Sequence, residues 1–284
     1  MMRNHWYLFR KTKNTAITGL TMACALITLV PLFWILYYVT RQGITAVNLD
    51  FFTHLPKPVG EAGGGMANAL LGSGILLAIG SLVGIPVGVF GGIYLSEFGK
   101  NRIGNAIRFA ADVMVGVPSI VVGIFVYTLI VLPMHKFTAL AGGVALGIIM
   151  VPIVMRTTEE SLKMVPTSLR EASLALGGAR WQTIIKVVLS AGRAGVITGA
   201  LLALARAAGE TAPLLFTALN NRFWSASVSD PISSLPVQIY TYAIAPYDDW
   251  HRQAWAGAFV LIVAVLGVNI LARVFSRNVH ARTR

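Results

Sequence analysis

The chain is poor in cysteine, in charge and in acids. It has one cysteine in 284 residues, 12% charged residues, and 11 Asp and Glu against 23 Lys and Arg. Cys24 alone excludes an intramolecular disulfide, and its place in an apolar run makes packing its expected role. No phosphate-cradling loop is present. The nearest approach, Gly99-Lys100-Asn101, has Tyr94 where the upstream glycine belongs and lacks Ser or Thr after the lysine, so the chain is not expected to hydrolyse ATP. Its five histidines, His5, His54, His135, His251 and His280, lie outside the apolar runs without ligand spacing such as HExxH. No bound metal is expected. No matched nucleophile and base appear, so no catalytic residue is assigned.

Apolar sequence is abundant: 56% of residues are hydrophobic and 28 are glycine. That composition predicts an all-α polytopic membrane protein. Six spans are expected, at about Ile17–Val39, Ala67–Tyr94, Ile107–Leu132, Ala139–Met155, Val196–Leu219 and Ala254–Phe275. Arg3, Arg10, Lys11 and Lys13 precede the first run, as in a secretory signal. However, a signal core has about 7 to 15 apolar residues, and this run continues through Trp34, Tyr37 and Tyr38. It reads as an uncleaved anchor.

The net charge of +12 follows from topology. If the N-terminus is cytoplasmic, the loops and tails on that side hold 17 of the 23 Lys and Arg, which places both termini in the cytoplasm. No nucleic acid is needed to explain the charge. The expected organisation is a cytoplasmic tail (1–16), an anchor helix (17–39), an extracytoplasmic linker (40–66), a five-helix domain (67–275) and a cytoplasmic tail (276–284). Within the domain, 156–195 is a cytoplasmic loop and 220–252 an extracytoplasmic one. Pro56-Lys57-Pro58, Gly60 and Gly63-Gly64-Gly65 mark the linker as flexible.

Arg206 and Glu210 lie inside the apolar run Val196–Leu219. A charge near the bilayer centre costs about 2.5–3.5 kcal/mol on insertion scales, so it faces protein, a partner or a water-filled path. A helix entering at Val196 would carry Arg206 roughly 15 Å inward, near the middle of a core about 30 Å thick. The plain reading is an ion pair that closes the bundle. Against it, Arg precedes Glu, the weaker i,i+4 order, and a guanidinium fork suits phosphate or carboxylate. Asp112, near the cytoplasmic end of its run and one turn past Arg108, reads as an interfacial salt-bridge partner. Gly80, Gly84, Gly88 and Gly92 form a four-residue row that lets another helix approach. Pro31, Pro86, Pro118, Pro152 and Pro213 are candidate kinks, the last setting a bend beside Glu210. The final outer loop concentrates Phe223, Trp224, Tyr240, Tyr242, Tyr247 and Trp250. This suits the membrane interface, with Leu235–Ala245 a re-entrant segment, a short interfacial helix or a docking surface.

In the loop 156–195, Thr167 or Ser168 is placed to cap a helix with Glu171 in its first turn. Gly177-Gly178 ends it in a left-handed corner, and a second amphipathic stretch runs from Arg180 to Leu189. Glu171-Ala172-Ser173, then Gly177, Val187 and Leu189, resembles the EAA signature of ABC-importer permeases. Ser173, Val187 and Ser190 stand where alanine, isoleucine and proline are usual. Gly116-Val117-Pro118-Ser119, Val151-Pro152 through Glu159-Glu160, and Ala205-Arg206-Ala207-Ala208-Gly209-Glu210-Thr211-Ala212-Pro213 extend the resemblance, in order over residues 60–275, to the PstA-type permeases of phosphate importers.

That resemblance implies a type I ABC-importer permease core in the bacterial inner membrane. It implies a heterodimer with the related permease PstC, two copies of the ATPase PstB carrying ATP and Mg, and the extracytoplasmic phosphate-binding protein PstS. Arg170, Glu171, Ala172, Gly177 and Gly178 would form the ATPase coupling loop. The competing readings are a permease for sulfate or molybdate and an ion-coupled secondary carrier, against which the loop argues; an intramembrane enzyme is remote.

Overall fold

A computed structural model describes residues 2–59, 61 and 63–281. Gly60 of the linker and residues 282–284 of the tail expected at 276–284 lie outside the described residues. The helices are α1 (Met2–Ile44), α2 (Leu49–Thr53), α3 (Ala67–Glu97), α4 (Arg102–Gly116), α5 (Ser119–Met134), α6 (Ala139–Lys163), α7 (Thr167–Ala175), α8 (Arg180–Ala208), α9 (Ala212–Thr217), α10 (Leu235–Ala243) and α11 (Asp248–Ala281). No strand occurs among the described residues. Among the described residues five helices are long and apolar enough to cross a membrane, and there are six such spans if α4 and α5 are counted together as one bent span.

The centre is α6, which α3 accompanies in parallel and α8 meets antiparallel. Along α3, Gly80, Gly84, Gly88 and Gly92 are all buried. Gly84 faces the Gly147 carbonyl and Met150, and Gly88 faces Val154, where an added Cβ would stand 2.6 Å from the valine Cβ. With no side chain between them, the two backbones pack directly, as membrane helices do where small residues align. On the other side of α6, Gly192, Gly195 and Gly199 of α8 sit against Leu162, Ser161 and Thr157. Leu76, Leu146, Met150, Val154, Ala203 and Leu214 fill the core between the three helices.

Four boundaries differ from the sequence expectation. The run Ile107–Leu132 is not one straight span: α4 and α5 meet at 104°. Pro118 forces Val117 out of the helical region, to φ −70 and ψ 130, by its clash with the preceding residue. The run Val196–Leu219 is likewise broken, because α8 ends at Ala208 with Gly209 as its cap and α9 restarts beside Pro213. Within the segment expected at 156–195, α6 continues to Lys163 and α8 begins at Arg180, so both its ends are helical and 164–179 lies between them. Finally, α1 extends through both the tail and the linker side of the anchor, from Met2 to Ile44.

The anchor stands apart. Its apolar stretch is unburied, and near its end Tyr38 meets Trp255 of α11 edge-on at 5.2 Å. Cys24 is exposed, so the expected packing role finds no partner among the described residues. At the end opposite the α6–α8 loop, α10 is a short helix on α11 and α3. Tyr242 and Trp250 stack at 4.4 Å in a buried cluster. These two aromatics are core rather than interfacial. Asp230 holds this end to the turn before α6, 3.5 Å from Lys136. The Ser227 hydroxyl donates to its carboxylate and, with Lys136, keeps it below the usual carboxylate range.

Candidate functional site

Arg206 lies in the last turn of α8, and Glu210 lies beyond the helix, in the break before α9. They are therefore not a helical i,i+4 pair, and the ordering penalty read from sequence does not apply. A cation in a final turn is instead favoured by the helix dipole. The pair is loose: Nε stands 3.5 Å from Oε1, and the arginine side chain is 42% exposed while that of Glu210 is 15% exposed. The Arg206 backbone carbonyl accepts from the Gly209 N–H at 3.1 Å, and among the described residues its side chain makes no closer polar contact.

Arg206 lines a cavity of ≈ 230 Å³. Its walls come from the elbow between α4 and α5 (Val115, Val117, Ser119, Val122) and from Ile148 and Ile149 of α6. Ile149 is near the middle of α6, which sets Arg206 at mid-depth in the bundle. Apart from Ser119 and Arg206 the lining is apolar. In such surroundings Glu210 is the nearby anion that competes for this cation.

On the loop side of this cavity lies a charged cluster that the sequence reading missed. The Glu159 side chain, 1% exposed, takes Arg108 Nε and Lys163 Nζ each at 2.6 Å and Arg156 at 3.0 Å. Arg156 also reaches Asp112 at 3.0 Å, so Asp112 is a salt-bridge partner as its position suggested. Arg108 further donates to the carbonyls of Leu95 and Gly99, which ties α4 to the end of α3. The i, i+3, i+7 spacing of Arg156, Glu159 and Lys163 was the available signal, because it puts all three on one face of α6.

The loop itself is a helix and a corner. α7 starts after Pro166 without a side-chain cap. This corrects the assignment of Thr167 or Ser168 as the cap and places Glu171 in the second turn. The physical reason is that proline's fixed φ already sets the helix entry. Gly177 adopts φ +83, and the Gly178 N–H donates to the Ser173 carbonyl at 3.1 Å. Ser173 also closes the corner through its hydroxyl, 2.8 Å from that of Thr183. The stretch Arg180–Leu189 is not a separate helix but the start of α8, continuous through a π-turn at Thr183–Val188. Glu171 and Ala172 are exposed, as are Leu174, Trp181 and above all Leu176, which is 89% exposed. Arg170 points inward, to Glu97 at the end of α3 at 2.8 Å and to the carbonyls of Leu162 and Val165. Arg180 lies over Phe98, 4.5 Å from the ring centre. No cluster of His, Cys, Asp and Glu able to hold a metal occurs among the described residues.

Residues 84–284 match the family of binding-protein-dependent transport system inner membrane components. The phosphate transport system permease protein PstA of Yersinia pestis is 47% identical over 96% of this chain and 93% of its own length. That of Haemophilus influenzae is 44% identical over 97% and 98%. In fold, the chain is similar to an inward-facing structure of the MetNI methionine ABC transporter, with a TM-score of 0.58 at 20% identity over 75% of this chain and 94% of that one. With a mid-depth arginine at a broken span, an exposed EAA-type corner and relatives matched over nearly their full length, the chain belongs to the binding-protein-dependent transport system inner membrane components, among the PstA permease proteins.

Proposed function

We propose that this chain is the membrane-spanning permease subunit of an ATP-driven importer of inorganic phosphate and that Arg206 and Glu210 lie on the anion's path. The observation that carries the site is the cavity: one loosely paired guanidinium at mid-depth, in an otherwise apolar chamber at the elbow of a bent span. A lone buried arginine would hold a dianion too strongly for turnover. Glu210 pairs with it when the anion leaves and repels an anion that lingers.

The chain forms the pathway with PstC, receives phosphate from PstS on the extracytoplasmic side, and is driven by two PstB subunits that bind ATP and Mg. It lies in the bacterial inner membrane with both termini in the cytoplasm, on the side of the α6–α8 loop. Arg170, Glu171, Ala172, Gly177 and Gly178 carry the coupling. The exposed side of α7 and the corner, Leu174, Leu176 and Trp181 included, offers the ATPase an apolar seat, while Arg170 fastens the other side to α3. Movement of the seated loop thereby reaches α3 and, through the continuous α8, the turn that bears Arg206.

The test is radiolabelled phosphate uptake measured together with membrane abundance. Arg206→Ala is expected to abolish uptake with the complex assembled, and Arg206→Lys to be poorly tolerated, because an ammonium keeps the charge and loses the fork. The double variant Arg206→Ala with Glu210→Ala separates a site from a structural pair. A stable complex without transport supports the site, and restored uptake rejects it.

A further inference from the structure

A second ion pair, this one forked, stands just below the Arg206 cavity. The cavity wall includes Met114 and Val115 on α4 and Ile148 and Ile149 on α6. About one turn nearer the loop on α4 is Asp112, and about two turns nearer on α6 is Arg156. The two are joined twice, Nε to Oδ1 at 3.0 Å and Nη2 to Oδ2 at 3.4 Å. This is the arrangement in which a guanidinium takes two oxygens of a phosphate.

Within the cluster, Asp112 is the partner that can be exchanged. Its side chain is 56% exposed and that of Arg156 31%, whereas Glu159 is enclosed. Glu159 keeps Arg108 and Lys163, each at 2.6 Å, if Arg156 turns to another anion. Three cations, Arg108, Arg156 and Lys163, face two carboxylates, Asp112 and Glu159, so the cluster retains one positive charge in excess. Seven residues of α6 separate Arg156 from Ile149, roughly 10 Å of rise. An anion leaving a single strong site passes more readily to a second attracting site than into an apolar gap, as conduction through multi-site pores requires.

We propose that Arg156 is a second station for the transported anion and that Asp112 is its resident competitor. The pair closes the loop end of the cavity until a phosphate arriving from Arg206 displaces the Asp112 carboxylate. Release of Asp112 removes one of the two ion pairs between α4 and α6, while Arg108 and Glu159 keep the helices joined. The inference rests on the reading of the Arg206 cavity as the phosphate path.

The assembled complex in lipid nanodiscs, without nucleotide or binding protein, is titrated with radiolabelled inorganic phosphate, and uptake by the same variants is measured in cells. Asp112→Asn keeps the shape and removes the competing charge. It is expected to tighten phosphate binding about tenfold, in the range of close charge-pair couplings, and to slow uptake by delaying release. Adding Arg156→Gln is expected to cancel the tightening. Adding Arg206→Gln instead leaves the tightening in place while uptake is lost. An unchanged affinity in assembled Asp112→Asn overturns the second station alone, whereas restored uptake in the Arg206 and Glu210 double variant overturns the path itself. Should Asp112→Asn fail to assemble, Arg156→Lys carries the test. Phosphate binding weakened severalfold supports the station, and wild-type binding overturns it.

Discussion

Arg170 on α7 donates to the Glu97 carboxylate at the end of α3, Nη2 to Oε1 at 2.8 Å and Nε to the same oxygen at 3.3 Å. The two side chains are 20% and 10% exposed, so the bond is sheltered from solvent and little screened by salt. Arg180, across the Gly177 corner, reaches the Glu97 carbonyl at 3.4 Å. Both limbs of the loop thus attach to one point on α3.

Glu97→Gln keeps the shape and removes the charge. Charge-assisted hydrogen bonds of this kind are worth about 1.5–3 kcal/mol, small against the packing of a whole bundle. The variant is expected to reach the membrane at near-normal abundance but to transport less phosphate per ATP hydrolysed. The ratio of uptake to ATPase activity in reconstituted complex checks it, and an unchanged ratio shows that the attachment carries no coupling.

Gly177→Val tests the corner. The residue has φ +83 and nothing within 4 Å of an added Cβ, so the cost is backbone strain alone, about 1–2 kcal/mol for a left-handed non-glycine residue. Assembly is expected to persist or weaken, with hydrolysis uncoupled from uptake. Full phosphate uptake by this variant would show that the corner's geometry is not needed.

Gly84→Leu tests the α3–α6 contact. An added Cβ alone would stand 2.8 Å from the Gly147 carbonyl oxygen and from Met150 Cβ, so the helices must separate. Overpacking of a tight contact typically costs about 1–3 kcal/mol, and sometimes more. Reduced membrane abundance is expected, with unaltered anion preference in whatever protein remains. Normal abundance and normal transport would show that α3 and α6 do not need this close approach.

Pro118→Ala tests the elbow. The substitution restores a backbone donor and lifts the restriction on Val117, so α4 and α5 lose the local cause of their bend. The cavity beside Arg206 is lined from that elbow. Uptake is expected to fall by more than abundance does, as measured by phosphate accumulation normalised to membrane protein. Uptake equal to wild type would place the cause of the bend in tertiary packing alone.

Much of this architecture is local and therefore readable in the chain. Long apolar runs, the left-handed corner at Gly177, the spacing Gly80 to Gly92 and the family motifs each depend on residues close together in sequence. Breaks were half legible. Pro118 and Pro213 announced kinks, but whether a proline bends a helix or ends it depends on which neighbours satisfy the freed carbonyls, so the 104° elbow and the gap after Ala208 came only with the packed structure. The contacts that position the site are more remote still: Arg170 to Glu97 spans 73 residues, Arg108 to Glu159 spans 51, and Arg156 to Asp112 spans 44. Of these charges the sequence marked only Asp112 as a salt-bridge partner, from its place near the end of an apolar run. Only the tertiary structure decided which partners, because that choice follows from how α3 and α6 lock along a glycine row and bring the ends of distant helices to one place.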